Sequence, residues 1–532
     1  MQGDHDLATP AELRLGAPTR QFADRAVFGV TAARVLAPAA IVIATVAAYL
    51  SALVVPYAFM DDYWNLAAVH GLGGIDPWKF STQGGRPIGG FLLVAGFRAI
   101  PDIDALRILR LVSACGTALL GLLLYYALRR GRVNRWLSAG ISVSIITLPP
   151  FEVYVGWSTL FWAPYAAILA GVSWLRMDAG VRRRVEACVL LLVALLIYQP
   201  AAMFFWVFAA IDVLRPTEGL AYAKRKLATG LGVAVVALAV GYLVARIGYH
   251  FYGTLGNGRS RLVDDLVGKI EWFGKQPLVN ALNFYDLTPS VAVACAVAAI
   301  AAIGIVLLHV QRRWESLGFL GIAALFVPLA YLPNLVIAEE WASYRSLGAL
   351  SALLMLYVWL GAWGIARCVA RAPVYQRFRT TNPWRGVALG AGALATVVAA
   401  TTAVILAARN VTTLFAKPEN VELQMLRNAL GNSSASPIQR VEFIKPDWTQ
   451  GAAPFVRYDE FGLPSSYAPW VPDPAVLLVL RENHQESNPV IDILAWDAPV
   501  TARPSGLHAV IVDMRKLQQR RVHWSLWTLH GA

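Results

Sequence analysis

The chain is 532 residues long, 57% apolar and 15% charged, with a mean hydropathy of +0.53. A soluble core cannot absorb that much apolar side chain, and several runs of about 20 apolar residues are long enough to cross a hydrocarbon layer. The composition is therefore that of a polytopic membrane protein, and it excludes a soluble enzyme, a nucleic-acid binder and a disulfide scaffold; the net charge of +13 points to a polyanion partner only until its distribution is read.

Arg14, Arg20, Arg25 and Arg34 precede the first apolar run, Val35 to Pro56. That leader is too long, and the run too extended, for an ordinary signal peptide, which predicts an uncleaved first helix with residues 1–34 in the cytoplasm. Further spans are predicted at about 104–128, 134–150, 157–176, 185–199, 200–214, 227–249, 289–309, 316–335, 346–366 and 386–408. The stretch 136–176 breaks at Pro149-Pro150-Phe151-Glu152 and reads as a helical hairpin. The stretch 185–214 carries Tyr198-Gln199-Pro200 at its centre and reads as one kinked helix or two short ones.

The positive-inside rule chooses between these. A split at Gln199-Pro200 yields about eleven spans and gathers the Lys/Arg excess in the cytoplasmic segments. A single kinked helix would instead push Arg367, Arg371, Arg377, Arg379 and Arg385 outside. The basic charge thus sets orientation, with anionic head groups as its natural counter-charge, and is not a site for an acidic substrate.

After the spans, residues 409–532 turn richer in Pro, Asn and Ser with balanced charge. The run Val476-Leu477-Leu478-Val479-Leu480 suggests strands, predicting a small mixed α/β domain outside the membrane, beyond a membrane domain at 35–408. Cys115, Cys188, Cys295 and Cys368 all lie in or beside apolar runs and read as buried small hydrophobes, not disulfide partners.

Polar and aromatic residues gather on the external side. The first external loop, 57–103, opens with Phe59-Met60-Asp61-Asp62-Tyr63-Trp64-Asn65 and continues through Trp78 to Gln83-Gly84-Gly85-Arg86-Pro87. Adjacent carboxylates at a helix end are costly beside lipid unless they meet water, a cation or a proton donor. Two short surface helices are expected in this loop, the second at Pro87–Ile100. Other external turns hold Glu152 to Trp162, Tyr198-Gln199-Pro200, His250 to Ser290 (with Arg259, Lys269 and Lys275), and Glu339-Glu340-Trp341-Ala342-Ser343-Tyr344-Arg345. No ionisable residue falls near the middle of a predicted span, which argues against an ion-coupled transporter.

Asp61-Asp62-Tyr63-Trp64 followed by Gln83-Gly84-Gly85-Arg86-Pro87, right after a first apolar helix, resembles the GT-C superfamily of integral membrane glycosyltransferases. More closely it resembles the polyprenyl-phosphate-sugar-dependent glucosyltransferases that modify bacterial O-antigens. The specific motifs cover about thirty residues; the likeness of architecture is broader. The resemblance implies a polyprenyl-phosphate sugar donor entering from the membrane and a glycan or glycolipid acceptor reaching the site from outside. It also implies that one acid of the pair acts on the acceptor hydroxyl, with Asp61 the favoured base and Asp62 its support.

The chemistry required agrees. Glycosyl transfer needs a base for the acceptor proton and positive charge for the departing phosphate. Arg345 and Arg86 are the candidates for the phosphate, with Lys275 beside them, since Arg matches it bidentately. Tyr63, Gln83, Trp157, Gln199, His250, Glu339, Glu340 and Tyr344 are candidates for sugar or acceptor contacts. A divalent cation, magnesium or manganese, held jointly by Asp61 and Asp62 stays open. Plainer roles compete with each. Asp61 is suited to capping the surface helix, Arg345 to pairing with Glu339 or Glu340, Gln199 to satisfying backbone freed at Pro200, and Trp157, Trp162 and Tyr165 to anchoring at the interface.

The expected protein is a GT-C-like membrane glycosyltransferase of the bacterial inner membrane, with a periplasmic C-terminal domain. Its rivals are a flippase for lipid-linked saccharides and a glycan polymerase or ligase using a lipid-diphosphate donor.

Overall fold

The computed structural model describes residues 20–178, 180–253, 261–310, 314–371, 383–431, 438, 440–446, 460–483, 492–497, 509–515 and 517. Arg259, Tyr458 and Asp459 lie outside the described residues. The first helix, α1 (Arg20–Val54), stops before Pro56, whose ring cannot continue a helix. Three short helices follow: α2 (Asp61–Val69), α3 (Pro77–Gln83) and α4 (Pro87–Arg98). Both α3 and α4 carry Pro in the first turn, where a missing N–H costs nothing, and Asp76 caps α3 by accepting from Trp78 N at 2.8 Å.

Next come α5 (Arg107–Arg130), α6 (Arg135–Ile146) and α7 (Pro149–Gly156), the last two bent by 62°. Helices α8 (Ala163–Arg176), α9 (Val181–Ile197), α10 (Gln199–Ala202), α11 (Phe204–Val213) and α12 (Leu220–Tyr252) continue the bundle. After α13 (Leu266–Lys275) and α14 (Pro277–Leu282) come α15 (Val291–Leu308), α16 (Glu315–Leu329), α17 (Leu332–Val336), α18 (Gly348–Arg371) and α19 (Pro383–Asn410). Helices α15 and α18 approach to backbone contact: a Cβ at Gly304 would lie 2.1 Å from Gly361 Cα. Only small residues permit such packing between apolar helices.

Among the described residues, seven helical stretches are long and apolar enough to cross a membrane, or eight if the bent pair α6–α7 counts as one. The other predicted spans fall on the shorter apolar helices α9, α10–α11 and α16. The expected turn at Pro149–Glu152 is itself helical, because both prolines sit in the first turn of α7. Glu152 is fully buried there, accepting from Asn410 Nδ2 at 3.4 Å.

A π-helical turn, Val411–Ala416, leads into α20 (Lys417–Gly431). Then come β1 (Arg440–Ile444), α21 (Pro472–Glu482), β2 (Asp492–Trp496) and β3 (Ala509–Asp513). The strands form a parallel sheet in the order β2-β1-β3, with Val441 opposite both Ile493 and Val510. The run Val476–Leu480, expected as strand, is helix instead. Ala475, Val476, Leu478, Val479 and Leu480 are buried, the i, i+3, i+4 spacing of one helix face, and Pro472 starts the turn. Arg427 of α20 clamps this region to the bundle, reaching Asp104 at 2.9 Å and Glu482 at 2.8 Å.

The end of α1 is held by one buried cation. Arg110 of α5 has no exposed surface. Its Nε donates to Ala52 O at 2.7 Å, Nη1 to Tyr57 O at 2.9 Å and Ser158 Oγ at 3.1 Å, and Nη2 to Val55 O at 3.3 Å. Its guanidinium also lies 3.9 Å from the centre of the Tyr57 ring. Carbonyls at a helix C-terminus lack intrahelical partners, and Arg110 supplies them. Arg110→Met should therefore destabilise the fold by about 2–5 kcal/mol. Heating in detergent followed by size-exclusion would show a clearly lowered midpoint; an unchanged midpoint would mean that water serves these carbonyls equally well.

Candidate active site

The loop after α1 re-enters a helix at Met60, whose φ of +48 is unusual for a residue with a side chain. That turn is pinned from the C-terminal region. Met60 N donates to Ser465 Oγ at 2.8 Å, and Ser465 Oγ donates to Glu419 Oε2 at 2.7 Å. Glu422 in turn accepts from the N–H groups of Ser465 and Ser466, at 3.1 and 2.6 Å. Consecutive positions in a helix diverge by about 100°, so Asp61 and Asp62 part company at the first turn of α2.

Asp62 goes inward and is completely buried. Its Oδ1 accepts from Thr159 N at 2.7 Å and Thr159 Oγ1 at 2.8 Å. Its Oδ2 accepts from Phe59 N at 3.1 Å and Ser158 N at 3.3 Å. Burial pushes its pKa up from 3.8 to about 6, while the Thr159 hydroxyl, the Arg110 charge and the Phe59 and Thr159 N–H groups pull it back. Asp61 goes outward, into a cavity of about 1070 Å³. There its Oδ1 accepts from the Trp470 indole N–H at 3.0 Å.

Arg345 lines the same cavity. Its guanidinium lies between two indoles, 4.9 Å from the Trp157 centroid and 4.4 Å from that of Trp341. It pairs with the carboxylate of Glu460, a residue of the C-terminal region, at 3.5 Å. Arg86 lines the wall near α10, with its guanidinium 5.6 Å from the Tyr198 ring centre. Gln199 fixes the turn before it by donating to Gly84 O at 3.2 Å and Gly85 O at 3.0 Å. Gly85 needs its freedom here: φ is +72, and a Cβ would meet Ala245 at 3.1 Å.

Glu339 also faces the cavity. Its carbonyl is held by Lys269 of α13, which donates at 2.6 Å with its ammonium 4.0 Å from the Trp272 ring centre. Burial lowers the Lys269 pKa, opposed by the charges of Glu340 and Glu339. Lys269 thus braces the loop and does not line the cavity. Much of the remaining lining is apolar, from Leu195 and Leu196 of α9, Leu238 and Tyr242 of α12, and Leu332 and Val336 of α17.

Several predicted contacts lie elsewhere. Lys275 pairs with Glu271 on the exposed side of α13, one helical turn away, and does not reach the cavity. His250 is exposed beside Phe251 near the end of α12. Gln83 donates to Tyr252 O at 2.5 Å, tying α3 to α12. Tyr63 and Tyr344 are buried in the core, where burial raises the Tyr63 phenol pKa, and Glu340 is exposed outside the lining. Asp61, Arg86, Trp157, Gln199, Glu339 and Arg345 do converge. Sequence reading missed the pairing of Glu460 with Arg345 and of Trp470 with Asp61. A weak signal existed, since both belong to the tail's densest polar and aromatic patch, Tyr458 to Ser466 with Trp470.

The residues present do not fit a divalent cation shared by Asp61 and Asp62. Both oxygens of Asp62 already accept two protein hydrogen bonds each. Among the described residues, no group of three or more His, Cys, Asp or Glu side chains is arranged to hold a metal ion.

The long apolar helices define an integral membrane protein, and this cavity, lined by Asp61, Arg86 and Arg345, is its candidate site. No family model matches the sequence, and no curated protein matches it. Among the solved structures similar to the chain are two oligosaccharyltransferases. One is the archaeal oligosaccharyltransferase AglB from Archaeoglobus fulgidus in complex with an inhibitory peptide and a dolichol-phosphate, at 14% identity, TM-score 0.41, over 83% of this chain and 64% of that one. The other is an Archaeoglobus fulgidus oligosaccharyltransferase in complex with Zn and sulfate, at 14% identity, TM-score 0.37, over 82% and 61%. The chain spans less than two thirds of the length of either.

Because the folded pKa of Asp62 lies above its unfolded value, the stability it contributes is fully present below about pH 4 and is lost as pH rises through about 6. Asp62→Asn should erase that slope. It should also lower the melting midpoint, since an amide offers one acceptor oxygen where four donors now meet two, and each orphaned donor costs about 1–3 kcal/mol. Melting curves of both proteins across this range check it; parallel pH dependences would exclude Asp62 as the titrating group.

Proposed function

We propose that the chain is a GT-C-type membrane glycosyltransferase, moving a sugar from a polyprenyl-phosphate donor to a glycan or glycolipid acceptor. The observation that carries this reading is the placement of Asp61 and Arg345 in one cavity whose lining also includes apolar helix surface. A lipid-phosphate sugar needs that combination. Its tail requires an apolar wall, its phosphate a cation, and the attacking hydroxyl a carboxylate.

In the proposed reaction, Asp61 takes the proton of the acceptor hydroxyl as its oxygen bonds to the anomeric carbon. The bond from that carbon to the phosphate oxygen breaks, and its electron pair leaves with the polyprenyl phosphate. Arg345, with Arg86, holds the charge that develops on the phosphate. The indoles of Trp157 and Trp341 keep the Arg345 guanidinium partly out of water, which strengthens its hold on an incoming anion. Glu460 occupies Arg345 from the other side and keeps it oriented. Asp62 takes no proton from substrate on this reading; it fixes the α2 turn that presents Asp61.

The same reading places residues 1–34 in the cytoplasm, the catalytic bundle at 35–408, and the cavity with residues 409–532 on the periplasmic side of a bacterial inner membrane. The Lys/Arg asymmetry supports that orientation.

Purified protein incubated with radiolabelled polyprenyl-phosphate sugars and lipid-linked glycan acceptors should move label to acceptor. Asp61→Asn should lose transfer by about 10²–10⁴-fold, the usual worth of a positioned base. Arg345→Gln should lose about 10²–10³-fold, with Arg345→Lys intermediate because one ammonium cannot reproduce bidentate contact. Full transfer by Asp61→Asn would end this mechanism. Movement of intact lipid across vesicles, with no glycosidic bond formed, would make the protein a flippase.

A further inference from the structure

Trp470 and Tyr467 stand out as the two aromatic rings exposed in their segment, with Pro469 exposed between them. In the short segment joining the pinned Ser465-Ser466 pair to α21, Ser465, Ser466, Ala468 and Val471 are buried. Trp470, by contrast, is 51% exposed and Tyr467 40% exposed, and both line the cavity. The backbone holding them is tied down. Ser465 and Ser466 are gripped by Glu419 and Glu422, and Gly462 N donates to Leu414 O at 3.1 Å. Their exposure is therefore a feature of an anchored wall.

The Trp470 indole N–H donates to Asp61, the carboxylate assigned as base. A group that hands a proton to Asp61 therefore does so beside the Trp470 ring. An indole offers one donor and a broad apolar face. A pyranose matches both needs, with a hydroxyl for the carboxylate and a face of C–H bonds for the ring. Two other indoles of the lining, Trp157 and Trp341, lie against Arg345 on the phosphate-binding side.

We propose that Trp470, flanked by Tyr467, forms the acceptor-sugar subsite, and that its N–H holds Asp61 in place until the acceptor hydroxyl reaches that carboxylate. The acceptor is accordingly a saccharide and not a peptide. This proposal rests on the reading of Asp61 as base, and it makes the C-terminal region the determinant of acceptor choice while the bundle handles the donor.

The test is direct binding of methyl glycosides to the full chain in nanodiscs, read by saturation-transfer NMR, beside acceptor and donor KM in the transfer assay. Wild type should transfer saturation to the C–H protons of at least one glycoside. Trp470→Ala should weaken that binding, and raise acceptor KM, by about tenfold, with Trp470→Phe within about threefold and donor KM unchanged in both. Trp470 is half-exposed and outside the buried core, so neither variant threatens the fold; Tyr467→Ala gives an independent check with a smaller effect of the same kind. The subsite is overturned if wild type binds no glycoside, if Trp470→Ala binds as wild type does, or if donor and acceptor KM rise together. Trp470-dependent glycoside binding combined with full transfer by Asp61→Asn would sink the catalytic reading and leave the subsite standing. Loss of transfer in Asp61→Asn with an unaltered acceptor KM in Trp470→Ala would do the reverse.

Discussion

Arg110 carries a full charge with no exposed surface, and a charge so placed persists only if its donors are met by oriented acceptors. Those acceptors are the carbonyls of Ala52, Val55 and Tyr57 and the hydroxyl of Ser158. Arg110 therefore ties the end of α1 to the segment before α8. Asp62 works on the same joint from the other side, collecting N–H groups from Phe59, Ser158 and Thr159. Between them the two charges define where α1 ends and α2 begins. With that turn set, Asp61 has little choice of direction, and the polar end of the cavity is built around it.

A second constraint acts from the far end of the chain. Ser465 accepts from Met60 at the turn's unusual φ, and Glu419 and Glu422 hold Ser465 and its neighbour. The same segment contributes Glu460 to Arg345 and Trp470 to Asp61. The C-terminal region is thus a working wall of the cavity. Asp61 and Arg345 each have a contact that comes from it, so a change in that region would be felt at both.

Strong local chemistry was legible in the sequence. The apolar runs, the prolines that end or open helices, and the acidic pair after α1 all act over a few residues, and the predicted helices fall where these signals lie. The convergence of Asp61, Arg86, Gln199 and Arg345 followed once the external turns were placed on one side. Where the pattern was ambiguous the reading failed: Val476–Leu480 is an unbroken apolar run that a strand or a helix can carry, and burial on a face of i, i+3 and i+4 positions makes it helix. Lys275, His250 and Glu340 were chosen for their chemistry and their side of the membrane, neither of which says which way a side chain points.

Composition and hydropathy alone determined that this chain is a helical membrane protein with an acidic pair at the head of its first long loop. These properties follow from transfer free energies and charge placement, which each residue carries with it. Only the tertiary structure decided that Asp62 is buried and Asp61 is not, that Arg345 pairs with Glu460, and that Trp470 meets the carboxylate. Those outcomes depend on contacts between segments hundreds of positions apart, and the energy of burying a charge is set by the partners that folding brings to it, not by the residues beside it in sequence.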